Sequence, residues 1–138
     1  MRIVIDTNVL VSGLLSPYSA SAEVVRLAVG GAVTPLYDAR ILEEYREVLL
    51  EREFGIDRDY VPQLLEVLES NGESVIALPL RQRLPGPDDE MFLEAAVSGG
   101  AECVVTFNLK HFPAPPTSIR VLEPKAFLAA WRRSASDR

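Results

Sequence analysis

Cysteine is all but missing from this chain: Cys103 stands alone among 138 residues, which excludes an internal disulfide. Histidine is as scarce. His111 cannot build a zinc site with Cys103 alone, and ligand spacings typical of zinc do not occur, so His111 reads as a loop residue. No apolar run approaches the roughly 18 residues of a membrane-spanning helix. The N-terminus has neither the basic-then-apolar pattern nor the small-residue cleavage site of an export signal, so the cytoplasm is the expected compartment. Glycine-rich phosphate loops, nucleophile-elbow serines, internal repeats and low-complexity tracts are also lacking. Positive charge runs short: Lys and Arg number 14 against 20 Asp and Glu, a net charge of −6. That argues against an extended basic surface for nucleic acid. It leaves room for an acidic metal site whose cations neutralise a substrate phosphate, although a solvated surface accounts for most of the charge.

What is there fits one domain with a real core, at 48% hydrophobic and 25% charged residues. Residues 1–132 are expected to form it, with residues 133–138 a frayed, disordered tail. Strand-like and helix-like signals alternate. Residues 2–5 read as a strand and 21–29 as a helix closed by Gly30 and Gly31; 33–37 read as a second strand. "DARILEEYREVLLERE" and "DRDYVPQLLEVLESNG" each place apolar residues on one helical face, the second with Asp caps and with Pro62 confined to the first turn. A third strand is expected at 74–78, a helix at 88–98, strands at 102–106 and 119–122, and a last helix from Pro124. Strands separated by helices imply a largely parallel sheet covered on both faces. The fold class is α/β, with four to five strands.

Two apolar runs end in polar residues. In "MRIVIDTNVLVSG", Ile3, Val4 and Ile5 run into Asp6, Thr7 and Asn8; in "AECVVTFNLKHF", Cys103, Val104 and Val105 run into Thr106 and Asn108. Ligands in parallel sheets bind beyond the carboxyl ends of strands, so neighbouring strands here would bring these groups together. Asp6 serves equally as a cap for the following turn or as a ligand. Asp89 shares a helical face with Phe92, Leu93 and Ala96 at 100° per residue, whereas Glu90 and Glu94 point the other way. An inward carboxylate is expensive unless compensated, which favours function at Asp89; Asp88 reads as the helix cap. Glu44 lies at the border of its helix's apolar stripe beside Val48, either reaching a cleft or simply solvated, while Glu43 and Glu47 project away. Asp6, Glu44, Asp89 and Asn108 together are four oxygen donors from four elements, the set that Mg²⁺ or Mn²⁺ wants.

With these residues in place, the sequence resembles the PIN-domain family, and within it the VapC-like toxin components of toxin–antitoxin systems. The matching segments are "IDTNVLVSG", "LEEYREVL", "PDDEMFLEAA" and "VVTFNLKHF", in the family's order and over nearly the whole chain. The resemblance implies a three-layer α/β/α sandwich and a metal-dependent ribonuclease site. Asp6, Glu44 and Asp89 match its acidic set and Asn108 stands where many members carry a fourth acid. Thr7, Asn8, Asp88 and Thr106 fall at supporting positions. Two departures matter: Asn108 lacks a charge, weakening binding of a second cation, and Phe107 is bulky where a small residue is common, which would narrow the site.

The expected activity is hydrolysis of RNA by a water activated at Mg²⁺ or Mn²⁺, with one or two cations left open. The same resemblance implies an antitoxin partner that places Arg or Lys against the carboxylates, and a homodimer; no membrane is involved. The apolar stripes of residues 39–52 and 57–71 are candidate dimer surface, or else pack on the sheet. Two rivals stand: a Mg²⁺-dependent phosphatase with an aspartyl nucleophile, weakened because Asn8 occupies the place of its second Asp, and a catalytically weak or inactive module that binds RNA or protein.

Overall fold

The computed structural model describes residues 1–81, 83–116 and 118–136. β1 (Arg2–Ile5) leads into α1 (Thr7–Leu15) and α2 (Ala20–Val29); β2 (Thr34–Tyr37) is followed by α3 (Ala39–Leu49) and α4 (Tyr60–Asn71). β3 (Glu73–Ser74), α5 (Pro87–Gly99), β4 (Cys103–Val105), β5 (Arg120–Leu122) and α6 (Pro124–Ser136) complete the described elements. The strands form one sheet in the order β3-β2-β1-β4-β5, and each neighbouring pair is parallel.

Ile3, Val4 and Ile5 of β1 and Cys103, Val104 and Val105 of β4 are all buried, as central parallel strands covered on both faces must be. Each such aliphatic side chain contributes about 1.5–3 kcal/mol by leaving water. The chain steps from β1 to β2 to β3 in one direction, then returns past β1 to β4. Right-handed crossovers therefore put α5 on the face opposite α2 and α4. Contacts agree: α5 packs on β1, β2 and β4, whereas α2 packs with α4 and α6, α4 on β2 and β3, and α6 on β4 and β5. This is a three-layer α/β/α sandwich.

Helix α1 was not among the expected elements. Thr7, Asn8, Ser12 and Gly13 look like turn residues, yet Gly13 is a point of close approach: a Cβ there would meet Val25 at 2.9 Å and the Ser21 carbonyl at 3.0 Å. The glycine lets α1 pack on α2. The strand expected at 74–78 shrinks to Glu73–Ser74. After Val75 N–H bonds to the Tyr37 carbonyl at 2.8 Å, the chain leaves the sheet and is held along α5, with Leu78 N–H donating to Ser98 Oγ at 2.9 Å.

Pro62 sits in the first turn of α4, as its missing N–H requires. Asp59 precedes that helix but caps nothing with its side chain. The stripes offered as dimer surface are core: Ile41, Tyr45 and Leu49 of α3 and Val61, Leu64, Leu65 and Leu68 of α4 are buried in this one chain. Residues 133–136, expected to be frayed, continue α6, which Arg132 ties to Glu23 of α2 at 2.8 Å. Asp137 and Arg138, the rest of the expected tail, lie outside the described residues.

Candidate active site

β1 and β4 are direct neighbours, with Ile5 opposite Val105, so the residues that follow them meet. This is the place where strand order reverses. Asp6 N–H donates to the Val105 carbonyl at 2.9 Å, and Thr106 Oγ1–H donates to Asp6 Oδ2 at 2.7 Å. Thr106 Oγ1 in turn accepts from Asn108 N–H at 3.0 Å. Asn8 bridges the two strand ends: its Oδ1 accepts from Phe107 N–H at 3.4 Å and its Nδ2 lies 3.5 Å from Asp6 Oδ2. Asp6 occupies the N-cap position of α1, but its carboxylate makes no capping bond and turns to the cleft instead. Thr7 Oγ1 is buried without a hydrogen-bond partner among the described residues.

α3 brings Glu44. Its neighbour Tyr45 donates its hydroxyl to the Ile5 carbonyl and stacks on Phe92 at a centroid distance of 6.5 Å, fastening α3 to the end of β1 and to α5. Glu44 is thereby held half-buried beside Val48, at the border the helical spacing assigns it. α5 brings Asp89. Its Oδ2 folds back over Gly86, where a Cβ would come within 2.5 Å, so only glycine leaves the carboxylate that position. Asp88, one residue earlier, also lines the cleft; it lies within the first turn of α5 and does not cap it, since Gly86 holds the N-cap position.

These groups surround one cleft of about 470 Å³, with Asp6, Thr7, Asn8, Glu44, Asp88, Asp89 and Asn108 on its polar side and Val11, Val48 and Phe92 on its apolar side. Phe107 does not narrow it. That ring is 43% exposed and lines a separate groove next door. His111, set aside as a loop residue, also lines the cleft, and its Nδ1 lies 2.9 Å from Asp89 Oδ2. The pair is separated by 22 positions and by β4, so only the hint of a polar residue soon after Asn108 was visible in the sequence.

The electrostatics follow from burial and crowding. Burial raises the Asp6 carboxyl above its ordinary range; the Thr106 hydroxyl works against this and the charge of Asp89 reinforces it. Burial likewise raises Glu44, helped by Asp88, Glu47 and Asp6. Asp89 is raised by burial, opposed by His111. Asp6 has no cationic side chain within ion-pair distance among the described residues.

Glu90 and Glu94, which point the other way from Asp89, are nevertheless only 8% and 7% exposed. The segment after β3 wraps over that side of α5 and supplies partners: Arg83 and the Leu84 N–H for Glu90, Arg40 and the Leu80 N–H for Glu94. Helical spacing measured their angle correctly but could not foresee this cover.

Among the described residues no three His, Cys, Asp or Glu side chains converge into a cage for a metal ion. Mg²⁺ does not ask for one, since it keeps several waters and takes one or two carboxylates plus substrate phosphate. An oxygen-only donor set built round Asp6, which has no cationic partner among the described residues, fits that demand.

A family model described as PIN domain matches residues 2–110. No curated protein matches the chain. Among solved structures, a chain of "VapBC2 from Rickettsia felis bound to a DNA fragment from their promoter" is similar with a TM-score of 0.55 and 15% identity. The alignment covers 88% of this chain and 97% of that one, and at such identity it speaks for the fold alone. Because the family match runs from β1 through α3 and α5 to the turn after β4, taking in each element that lines the cleft, this chain belongs to the PIN domain family.

Proposed function

We propose that the protein is an endoribonuclease that hydrolyses RNA phosphodiester bonds with Mg²⁺ or Mn²⁺, and that it is the toxin of a toxin–antitoxin pair. The observation that carries the reading is Asp6, a carboxylate only 6% exposed, without a cationic side chain within ion-pair distance among the described residues, and raised in pKa by burial and by the charge of Asp89. A fold retains such an arrangement when something positive completes it.

Asp6 and Asp89 would hold the cation, with the Asn108 carbonyl oxygen as a neutral, weaker donor. A bound cation supplies charge to polarise the phosphate and lowers the pKa of a water. Glu44, raised by burial and by Asp88, would orient the attacking water and accept its proton. Thr106 and Asn8 keep the Asp6 carboxylate aimed. His111 and Gly86 do the same for Asp89. The partner in this reading is an antitoxin whose Arg or Lys neutralises the same carboxylates, and two copies of the chain pair in the toxin. VapBC2, the fold neighbour crystallised with promoter DNA, supports the antitoxin part.

The test is to incubate the purified chain with a mixed RNA pool in Mg²⁺, in Mn²⁺ and in chelator, and to map the ends. New ends in either metal and none in chelator are expected; identical ends in all three would overturn the reading. A binding-only module is favoured by one observation, that no three-ligand cage forms among the described residues; turnover in the same experiment would decide against it. The phosphatase alternative requires a trapped acyl-phosphate on Asp6, which this reading says will not form.

A further inference from the structure

Beside the cleft lies a smaller groove of about 190 Å³, space for roughly six liquid waters and so of the scale of one base. Phe107, Ser12, Ser19, Ser21, Glu123 and Lys125 line it. Ser12 also lines the acidic cleft, so the two spaces are neighbours. A single exposed apolar side chain is ordinary on a protein surface. Phe107 differs because its backbone is fixed on three sides next to the candidate reaction centre. Thr106 N–H donates to the Leu122 carbonyl at 3.0 Å, Phe107 N–H to Asn8 Oδ1 at 3.4 Å, and Asn108 N–H to Thr106 Oγ1 at 3.0 Å. The backbone that carries the ring is therefore held, and Phe107 is 43% exposed.

The charge at this groove is also particular. Lys110 and Lys125 are the chain's only lysines. Lys125 is exposed at the groove and has no carboxylate within ion-pair distance among the described residues, although Glu123 lines the same space. On a chain of net charge −6, a free cation one step from the carboxylates gives an anionic polymer a place to attach. An aromatic face plus one cation is what an unpaired nucleotide needs: a surface for its base and a charge for its phosphate. The Ser12 hydroxyl and the Glu123 carboxylate add acceptors that a ribose hydroxyl can use. A paired base offers no free face to the ring.

We infer that this groove is a subsite for one unpaired nucleotide flanking the scissile phosphate, its base stacked on Phe107 and its phosphate held by Lys125; the assignment of the scissile position rests on the nuclease reading above.

The experiment measures binding of a single-stranded RNA roughly eight nucleotides long by fluorescence anisotropy, in chelator so that nothing is cut. Wild type is compared with Phe107→Ala, Phe107→Leu, Phe107→Trp and Lys125→Gln. Phe107→Ala and Phe107→Leu are expected to weaken binding roughly tenfold, the loss of one base–aromatic stack, while Phe107→Trp retains it. Lys125→Gln is expected to flatten the salt dependence by about one unit of slope. Duplex RNA should be indifferent to the Phe107 series. Leucine binding as well as phenylalanine would overturn the stack, leaving only an apolar wall; unchanged binding in both Phe107→Ala and Lys125→Gln would overturn the subsite. The two readings fail separately. RNA cut in Mg²⁺ with an unchanged KM in Phe107→Ala removes the subsite and keeps the nuclease. Phe107-dependent binding without any cutting does the reverse.

Discussion

Helix α5 carries two kinds of buried carboxylate a few ångströms apart in sequence rise. Asp89, Glu90 and Glu94 are almost equally buried, at 9%, 8% and 7% exposure. Glu90 and Glu94 each meet an arginine and a backbone N–H, at 2.8–3.2 Å, and in doing so bind the segment after β3 to α5. Arg40 extends this wall to Asp38, whose Oδ1 caps α3 by accepting from Ile41 N–H at 3.0 Å. Asp89 has a histidine, and looks across a cleft at Asp6, which has no cationic side chain within ion-pair distance among the described residues. Burial does not separate the two groups. Their partners do: the wall is completed within the chain, and the cleft is left for a charge from outside.

The largest effect should come from the cleft side. Asp6→Asn and Asp89→Asn remove charge but keep shape, and each is expected to reduce RNA cutting about a thousandfold or more. Folding should survive, because each variant removes like-charge repulsion. Initial rates with saturating Mn²⁺, beside a thermal melt, check both halves. Cutting at the wild-type rate would erase the distinction between cleft and wall.

On the wall side the same kind of change should act the other way round. Glu94→Ala leaves the Leu80 N–H without its acceptor and Arg40 without one of its two carboxylates. The expected loss is about 2 kcal/mol of stability, modest for a broken pair because Arg40 is half exposed. Tm should fall by several degrees while the folded fraction keeps cutting RNA. A variant that melts like wild type but has lost its activity would move Glu94 into the cleft group.

His111 sits between the two cases, a partner to Asp89 that stops short of neutralising it. His111→Ala frees the Asp89 carboxylate to rotate, and a second partner of this kind is worth about tenfold in metal affinity. Mn²⁺ titration followed by electron paramagnetic resonance should show that loss without a change in Tm. His111→Asn, whose amide can donate from nearly the same place as Nδ1, should restore part of it. Equal affinity in wild type and His111→Ala would make the contact incidental.

Much of this comparison was legible in the sequence, and the reason is geometric. The apolar runs at Ile3–Ile5 and Cys103–Val105 announce central strands, so the polar residues that end them announce the site. Helical angle alone put Asp89 inward and Glu44 on a border. The same arithmetic failed for Glu90 and Glu94, because an angle says where a side chain points and not what covers it. The cover is chain from residues 75–81 and 83–86, whose contacts with α5 are tertiary and leave no periodic trace. His111 was lost for a similar reason: its meaning lies in a 2.9 Å contact with Asp89 across β4. α1 was hidden because Gly13, read locally, breaks a helix, whereas read against α2 it permits close packing.

The smallest effect should also be the sharpest test of the cleft's character, since it asks for a sign. Burial and Asp89 raise the Asp6 carboxyl in the folded chain above its ordinary value near 3.8. The folded state then holds that proton more tightly than the unfolded state does. Below the ordinary value Asp6 is protonated in both states and adds nothing to the pH dependence. As pH rises, the unfolded chain releases the proton first, so stability falls across the window up to the raised folded value and stays lower above it. Asp6→Asn has no proton to lose at that position, and its amide oxygen can still accept from Thr106. In metal-free buffer the variant should therefore match wild type in acid and melt higher at neutral pH, the gap opening just above the ordinary carboxylate range. Saturating Mn²⁺ should close or invert the gap, because the ion stabilises only the chain that can bind it. A wild type more stable than Asp6→Asn at neutral pH without metal would mean that this carboxylate already has its partner within the chain, which would place it with the wall.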